Sequence, residues 1–184
     1  DRDGGSPRPL VRGTGEWLQN ISPDGTTLLY MRVDALHELW SVPVAGGEPR
    51  KVATSYNFAV TVSPDSRTIA YLTPQELEGV SPTTCIVAPI AGGTPIATFT
   101  WPPRVGAVKW TPDGKALSFL VTKDNIANLF IQPLSGGPPR PVTRLTEGGV
   151  DDYLWSPDGR RLVLKRTIAN VGNLWSAGTD GRAP

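Results

Sequence analysis

At 184 residues, with 18 Lys and Arg against 17 Asp and Glu and neither sign gathered into runs, the chain has room for one domain. It offers no electrostatic footprint for nucleic acid or for an anionic membrane surface. Twenty glycines and 19 prolines point to many turns rather than long helices, and a hydrophobic content of 39% argues against disorder.

The chain opens without Met and inside a sequence pattern, as a trimmed or processed piece would. Its first residues, Asp3-Gly4-Gly5-Ser6-Pro7-Arg8-Pro9-Leu10-Val11, match a segment met later as Gly136 to Val142. Next comes the turn Ser22-Pro23-Asp24-Gly25, which returns as Ser63-Pro64-Asp65-Ser66, Thr111-Pro112-Asp113-Gly114 and Ser156-Pro157-Asp158-Gly159, at spacings of 41, 48 and 45 residues. A glycine pair keeps the same phase at Gly46-Gly47, Gly92-Gly93 and Gly136-Gly137, with a remnant at Asp180-Gly181. Two markers in phase define a repeat.

Within each unit, four short apolar segments alternate with turn chemistry. In the third they are 107–110, 116–121, 128–131 and 141–145. Pro pre-sets φ in the first turn, Asp accepts main-chain hydrogen bonds and Gly takes φ > 0, which gives a tight hairpin between the first and second strands. The glycine pair turns the third strand into the fourth, with Pro43, Pro89 and Pro133 just before it, where a missing N–H is tolerated. Segments this short, rich in Val, Ile, Leu and aromatics, are strands and show no 3.6-residue period.

The predicted fold is therefore all-β: a β-propeller of four-stranded antiparallel blades, four per chain, over about 16–55, 56–101, 105–146 and 149–184 plus 3–13. Trp40, Phe130 and Trp175 recur at one position of the third strand, and Trp110 and Trp155 precede the Pro-Asp turn; all five are expected between blades. Cys85 takes the place of a Leu and reads as a small buried hydrophobe; being alone, it allows neither an intrachain disulfide nor a thiolate zinc site.

The last unit stops before a fourth strand, and residues 3–13 have the sequence to supply it. They can do so within the chain, closing four blades, or by exchange in a homodimer, giving eight. Membership of a longer propeller is a third arrangement.

The unit strand–Ser-Pro-Asp-Gly–strand, then Leu-Trp, then Gly-Gly-x-Pro-Arg, resembles the Pro-Asp repeats of TolB-type propellers over nearly the whole chain. The second unit departs from it, with Ser66 for Gly, extra residues from Pro74 to Pro82 and no aromatic at the Trp40 position. The resemblance implies a periplasmic or extracellular setting and a binding or scaffolding role. Such propellers also form sensor domains of bacterial Ser/Thr kinases and flank the hydrolase domain of prolyl oligopeptidase-type enzymes.

Catalysis finds little support. His37 is the one histidine, and no Gly-x-Ser-x-Gly elbow accompanies it. Asp24, Asp65, Asp113 and Asp158 read as caps of their own turns. Asp151-Asp152 is the single adjacent acid pair, and no EF-hand or RTX-type spacing joins it to the six to eight oxygens that calcium takes. Neither a metal nor a cofactor is expected.

A binding face remains. The loops that enter the inner strands carry Glu16, Trp17, Tyr56, Asn57, Trp101, Arg104, Asp151, Asp152 and Tyr153, and His37 lies on a joining loop at the same end. Mixed aromatics and charges at a concave centre suit a protein or peptide segment. Trp17, Tyr56 and Trp101 read equally as edge packing. The expected function is non-enzymatic binding; the alternatives are the propeller of a prolyl oligopeptidase-type peptidase, or an excised or engineered fragment with no function of its own.

Overall fold

The Pro-Asp turns build the frame. A computed structural model of the chain describes residues 8–13, 15–33, 37–54, 57–73 and 81–179, without the side chains of residues 57–59. In each turn the Asp Oδ1 accepts from the leading Ser or Thr hydroxyl at 2.6 Å and from the N–H two residues on. The leading hydroxyl in turn accepts an N–H five residues on. Gly25, Gly114 and Gly159 hold φ near +70°, and Ser66 takes the same left-handed conformation at +63° without being glycine. Its hydroxyl accepts the Asp24 N–H at 3.0 Å and so links two neighbouring turns.

Each of these turns joins the first two strands of a sheet; among the described residues 15 antiparallel strands form four sheets, and no helix occurs. The first sheet is β1 (Glu16–Ile21), β2 (Thr27–Arg32), β3 (Glu38–Pro43) and β4 (Arg50–Ala53). The second is β5 (Asn57–Val62), β6 (Thr68–Leu72), β7 (Thr83–Pro89) and β8 (Ala97–Trp101). The third is β9 (Val105–Trp110), β10 (Ala116–Lys123), β11 (Ile126–Pro133) and β12 (Arg140–Pro141). The fourth is β13 (Gly149–Trp155), β14 (Arg161–Ile168) and β15 (Val171–Gly178). Strands follow one another in sequence order in every sheet, the meander of a propeller blade.

Core side chains lie between sheets. Leu29, Met31 and Leu39 of the first sheet meet Val62, Ile69 and Tyr71 of the second. Ala70, Leu72, Cys85 and Val87, on the second sheet's other face, meet Trp110, Leu117 and Phe119 of the third. Leu120 and Leu129 of the third meet Val150, Tyr153, Leu162 and Leu164 of the fourth. One rule runs along the chain: equivalent positions always face the same neighbour.

Some expectations need adjustment. The fourth strand of the third unit is two residues long rather than the expected 141–145. Pro138, Pro139 and Pro141 offer no N–H to a ladder, and the Asn128 side chain replaces it: its Oδ1 accepts from the Leu145 N–H at 2.7 Å and from the Thr143 hydroxyl at 2.9 Å. Trp110 is buried between blades and Phe130 packs there, as expected. Trp175 is 44% exposed, with the Arg166 guanidinium 5.1 Å above its ring. Trp40 lies on the first sheet's free face, under Arg32 at 4.6 Å.

The fourth sheet has three strands, and among the described residues none pairs with the outer edge of β15. Residues 3–7 of the segment expected there lie outside the described residues. Residues 8–13 form no strand; Arg8 instead donates from Nη2 to the carbonyls of Val44 and Ala45, at 3.1 and 2.6 Å, on the β3–β4 hairpin of the first sheet.

Candidate functional site: a groove between the third and fourth blades

Arg104 and Asp151 line one groove of about 660 Å³, where the third and fourth sheets begin. Arg104 is exposed, just before β9, with φ at +59°. Asp151 is exposed on β13, where the pairing register with β14 shifts between Val150 and Asp152; such a bulge turns a side chain out of the ladder. Its Oδ2 accepts the Thr167 hydroxyl at 2.7 Å and lies 3.9 Å from Lys165 Nζ.

Three glycines, Gly106, Gly148 and Gly149, are part of the lining. Two of these glycines answer to packing. A Cβ on Gly148 would come within 2.6 Å of the Thr167 carbonyl, and one on Gly149 within 2.9 Å of the Ala127 nitrogen. Gly106 differs: a Cβ there meets nothing within 4 Å, so packing does not require a glycine at that place. Asn125, in the two-residue β10–β11 turn with φ at +61°, closes the rim. Behind the same turn lies an apolar hollow of about 530 Å³ between the second and third sheets, bounded by Pro102, Val121, Ile126, Phe130 and Leu145.

Asp152 points elsewhere, to Lys109 Nζ at 2.8 Å. That ammonium also donates to the Tyr153 carbonyl and sits 4.7 Å from the Tyr153 ring centroid. Its hydrogen bond outweighs the opposing effect of burial and holds the Asp152 carboxyl below the usual range. Lys109 thus ties β9 to β13 under the groove. Sequence reading passed over it as one polar residue in an inner strand; its place opposite Asp152 depends on how two blades meet.

Trp101 and Tyr153 do not stand on the rim. Trp101 is 1% exposed and stacks on Phe119 with ring centroids 3.9 Å apart; its Nε1 donates to Gln132 Oε1 at 3.4 Å. Tyr153 is equally buried, and its hydroxyl donates to the Ala107 carbonyl at 2.7 Å and meets Ser118 Oγ at 2.9 Å. Burial pushes that phenol's pKa well up. Both side chains fill interblade core: Phe119 of the next blade covers Trp101, and Leu120 and Leu129 of the preceding blade pack around Tyr153.

Glu16 and Trp17 belong to the first sheet, away from the groove. Glu16 accepts the Gly15 N–H at 3.1 Å and faces Arg32 at 3.7 Å; Trp17 is 57% exposed. His37 is exposed, with φ at +47°. Tyr56 lies outside the described residues, as does the side chain of Asn57. Among the described residues, no three His, Cys, Asp or Glu side chains gather as a metal site.

No protein-family model and no curated protein matches the sequence. Solved structures do, TolB and peptidase propeller domains among them. An Agrobacterium tumefaciens protein assigned as TolB is 27% identical with a TM-score of 0.72, covering 91% of this chain and 59% of its own. TolB from Acinetobacter baumannii is 14% identical at a TM-score of 0.68, covering 97% and 45%. The β-propeller domain of the Trilobed protease from Pyrococcus furiosus, described as having an open velcro topology, is 16% identical at 0.65, covering 86% and 52%. The fold is thus a β-propeller whose structural neighbours are TolB and peptidase propeller domains. This chain spans between 45% and 59% of those three chains.

Proposed function

We infer that the chain is a non-enzymatic binding module that holds a protein or peptide segment in the groove between its third and fourth blades. The single observation that carries this reading is that Arg104 and Asp151 line one groove together with Gly106, where packing does not require a glycine. Opposite charges in one groove suit an extended peptide that carries both signs. Glu16, Trp17 and His37 form a secondary rim of the same module. A second copy of the chain is also a partner, through exchange of the N-terminal segment. The likeness to TolB favours a periplasmic or extracellular setting.

A peptide phage library panned on the protein tests the groove. Recovered peptides are expected to lose about tenfold or more in affinity with Arg104→Ala, the loss of one charge-assisted contact. Gly106→Val, whose Cβ meets nothing within 4 Å, is expected to block binding with an unchanged melting temperature. Peptides bound equally by both variants would place the site elsewhere.

The second reading is a propeller that accompanies a peptidase domain, favoured by the likeness to the Trilobed protease propeller. It assigns the same groove to a substrate segment on its way to a hydrolase.

A further inference from the structure

The two ends of the blade arc carry the two halves of one interface. The rule that governs the three internal junctions can be continued at either end. Positions equivalent to Leu29 and Leu39 are Val163 and Leu174, on the free face of the fourth sheet, which are 43% and 77% exposed beside Leu154 at 62%. Ile21 stands where Val62 and Trp110 fill internal junctions, and it lies with Leu18 on the free face of the first sheet; they are 51% and 75% exposed. The fourth sheet's free face thus shows apolar side chains that its internal counterparts bury, and the first sheet's free face shows Leu18 and Ile21 beside Tyr30 and Val42, which are already buried in the single chain.

Arg8 supplies a second, separate observation. It occupies in Gly4-Gly5-Ser6-Pro7-Arg8 the place of Arg50 in Gly46-Gly47-Glu48-Pro49-Arg50. Arg50 begins β4 and lines a hollow with Ile90 and Ala91, on the β7–β8 hairpin of the next blade. The carbonyls that Arg8 binds belong to Val44 and Ala45, the equivalents of Ile90 and Ala91 in the first blade. Gly46 has Arg8 beside it, 3.4 Å from where a Cβ would be, as Gly92 has the Lys51 carbonyl of β4 at 3.0 Å. Arg8 therefore stands where the fourth strand of a preceding blade belongs, and not against its own last sheet.

We propose that this place is taken by the β13–β15 sheet of a second copy. Its free face packs on Leu18 and Ile21, and its β15 edge pairs with the segment that carries Arg8, reciprocally in the two chains. The result is a two-fold ring of eight blades. This gives residue-level form to the strand exchange proposed above and rests on that reading; it is independent of the groove. The span of the neighbours agrees, since their chains are about twice as long as the part this one covers.

The test is light scattering after size exclusion over a concentration series, using the 184-residue chain. Twice the single-chain mass is expected. Leu18→Glu and Leu174→Glu, both at side chains exposed in the single chain, are each expected to return the monomer with unchanged far-ultraviolet circular dichroism. Ile96→Glu, 62% exposed on the second blade, is expected to stay dimeric. A monomer at every concentration would overturn the homodimer itself and leave these faces to other blades. A dimer indifferent to Leu18→Glu and Leu174→Glu would overturn the face docking while keeping the dimer.

Discussion

The aspartates of the repeated turns show how one side chain sets a local conformation. In Asp24, Asp65, Asp113 and Asp158 the neighbouring Ser or Thr hydroxyl, and next the N–H two residues on, hold the carboxyl below its ordinary value of 3.8. A folded-state pKa below the unfolded one means that the stabilisation is complete above the unfolded value and is lost as pH falls through the folded values. The melting temperature is therefore expected to be flat near neutrality and to drop below about pH 4. Asp113→Asn, which keeps an acceptor but does not titrate, is expected to make that drop shallower in acid melting curves. Gly114, at φ +68° in the same turn, gives a companion case. Gly114→Ala is expected to cost about 1 kcal/mol in urea unfolding, from the left-handed conformation alone. Cys85 is fully buried, and desolvation pushes its thiol up to about 12, so alkylation by iodoacetamide is expected only on unfolding.

At the scale of elements, the junction of the second and third blades is the most aromatic of the three. Trp101 and Phe130 stack on either side of Phe119, with centroids 3.9 and 6.0 Å from it. Phe119→Ala is expected to cost about 3–5 kcal/mol, since no polar atom or backbone shift can fill the space between two rigid rings. Equilibrium denaturation checks this. The same junction shows why part of the site was hidden in the sequence. Trp101 ends β8 and reads alike whether it faces solvent or the next blade; Phe119, 18 residues on, decides. Tyr153 is fixed likewise by Ser118 and Ala107 on another sheet. The turns, by contrast, act within five residues, so Ser-Pro-Asp-Gly could be read with its hydrogen bonds. The glycine pairs were as plain, and prolines beside them shortened β12 beyond what the apolar pattern suggested.

Taken whole, the chain repeats one sheet and one interblade contact. The sequence markers disclosed the four units and their order because the turn chemistry is local. They could not disclose the groove, since Arg104 and Asp151 lie 47 residues apart and meet only when β9 and β13 stand side by side. Glu16, Trp17 and His37 share the end of their blades with the groove by topology, while Trp101 and Tyr153 of the expected face went into the core. What the fold leaves between the third and fourth blades at that end is charge, glycine main chain and the Asn125 turn, the features on which the proposed binding of a peptide segment rests.

The most direct test is a two-dimensional ¹H–¹⁵N NMR titration of the protein with a peptide recovered from the library. Shifts are expected to concentrate in residues 104–107 and 148–151, with smaller ones at Asn125, and to vanish with Gly106→Val. Shifts centred instead on the outer glycine-pair hairpins, or spread without a maximum at the groove, would contradict the proposed role of this face.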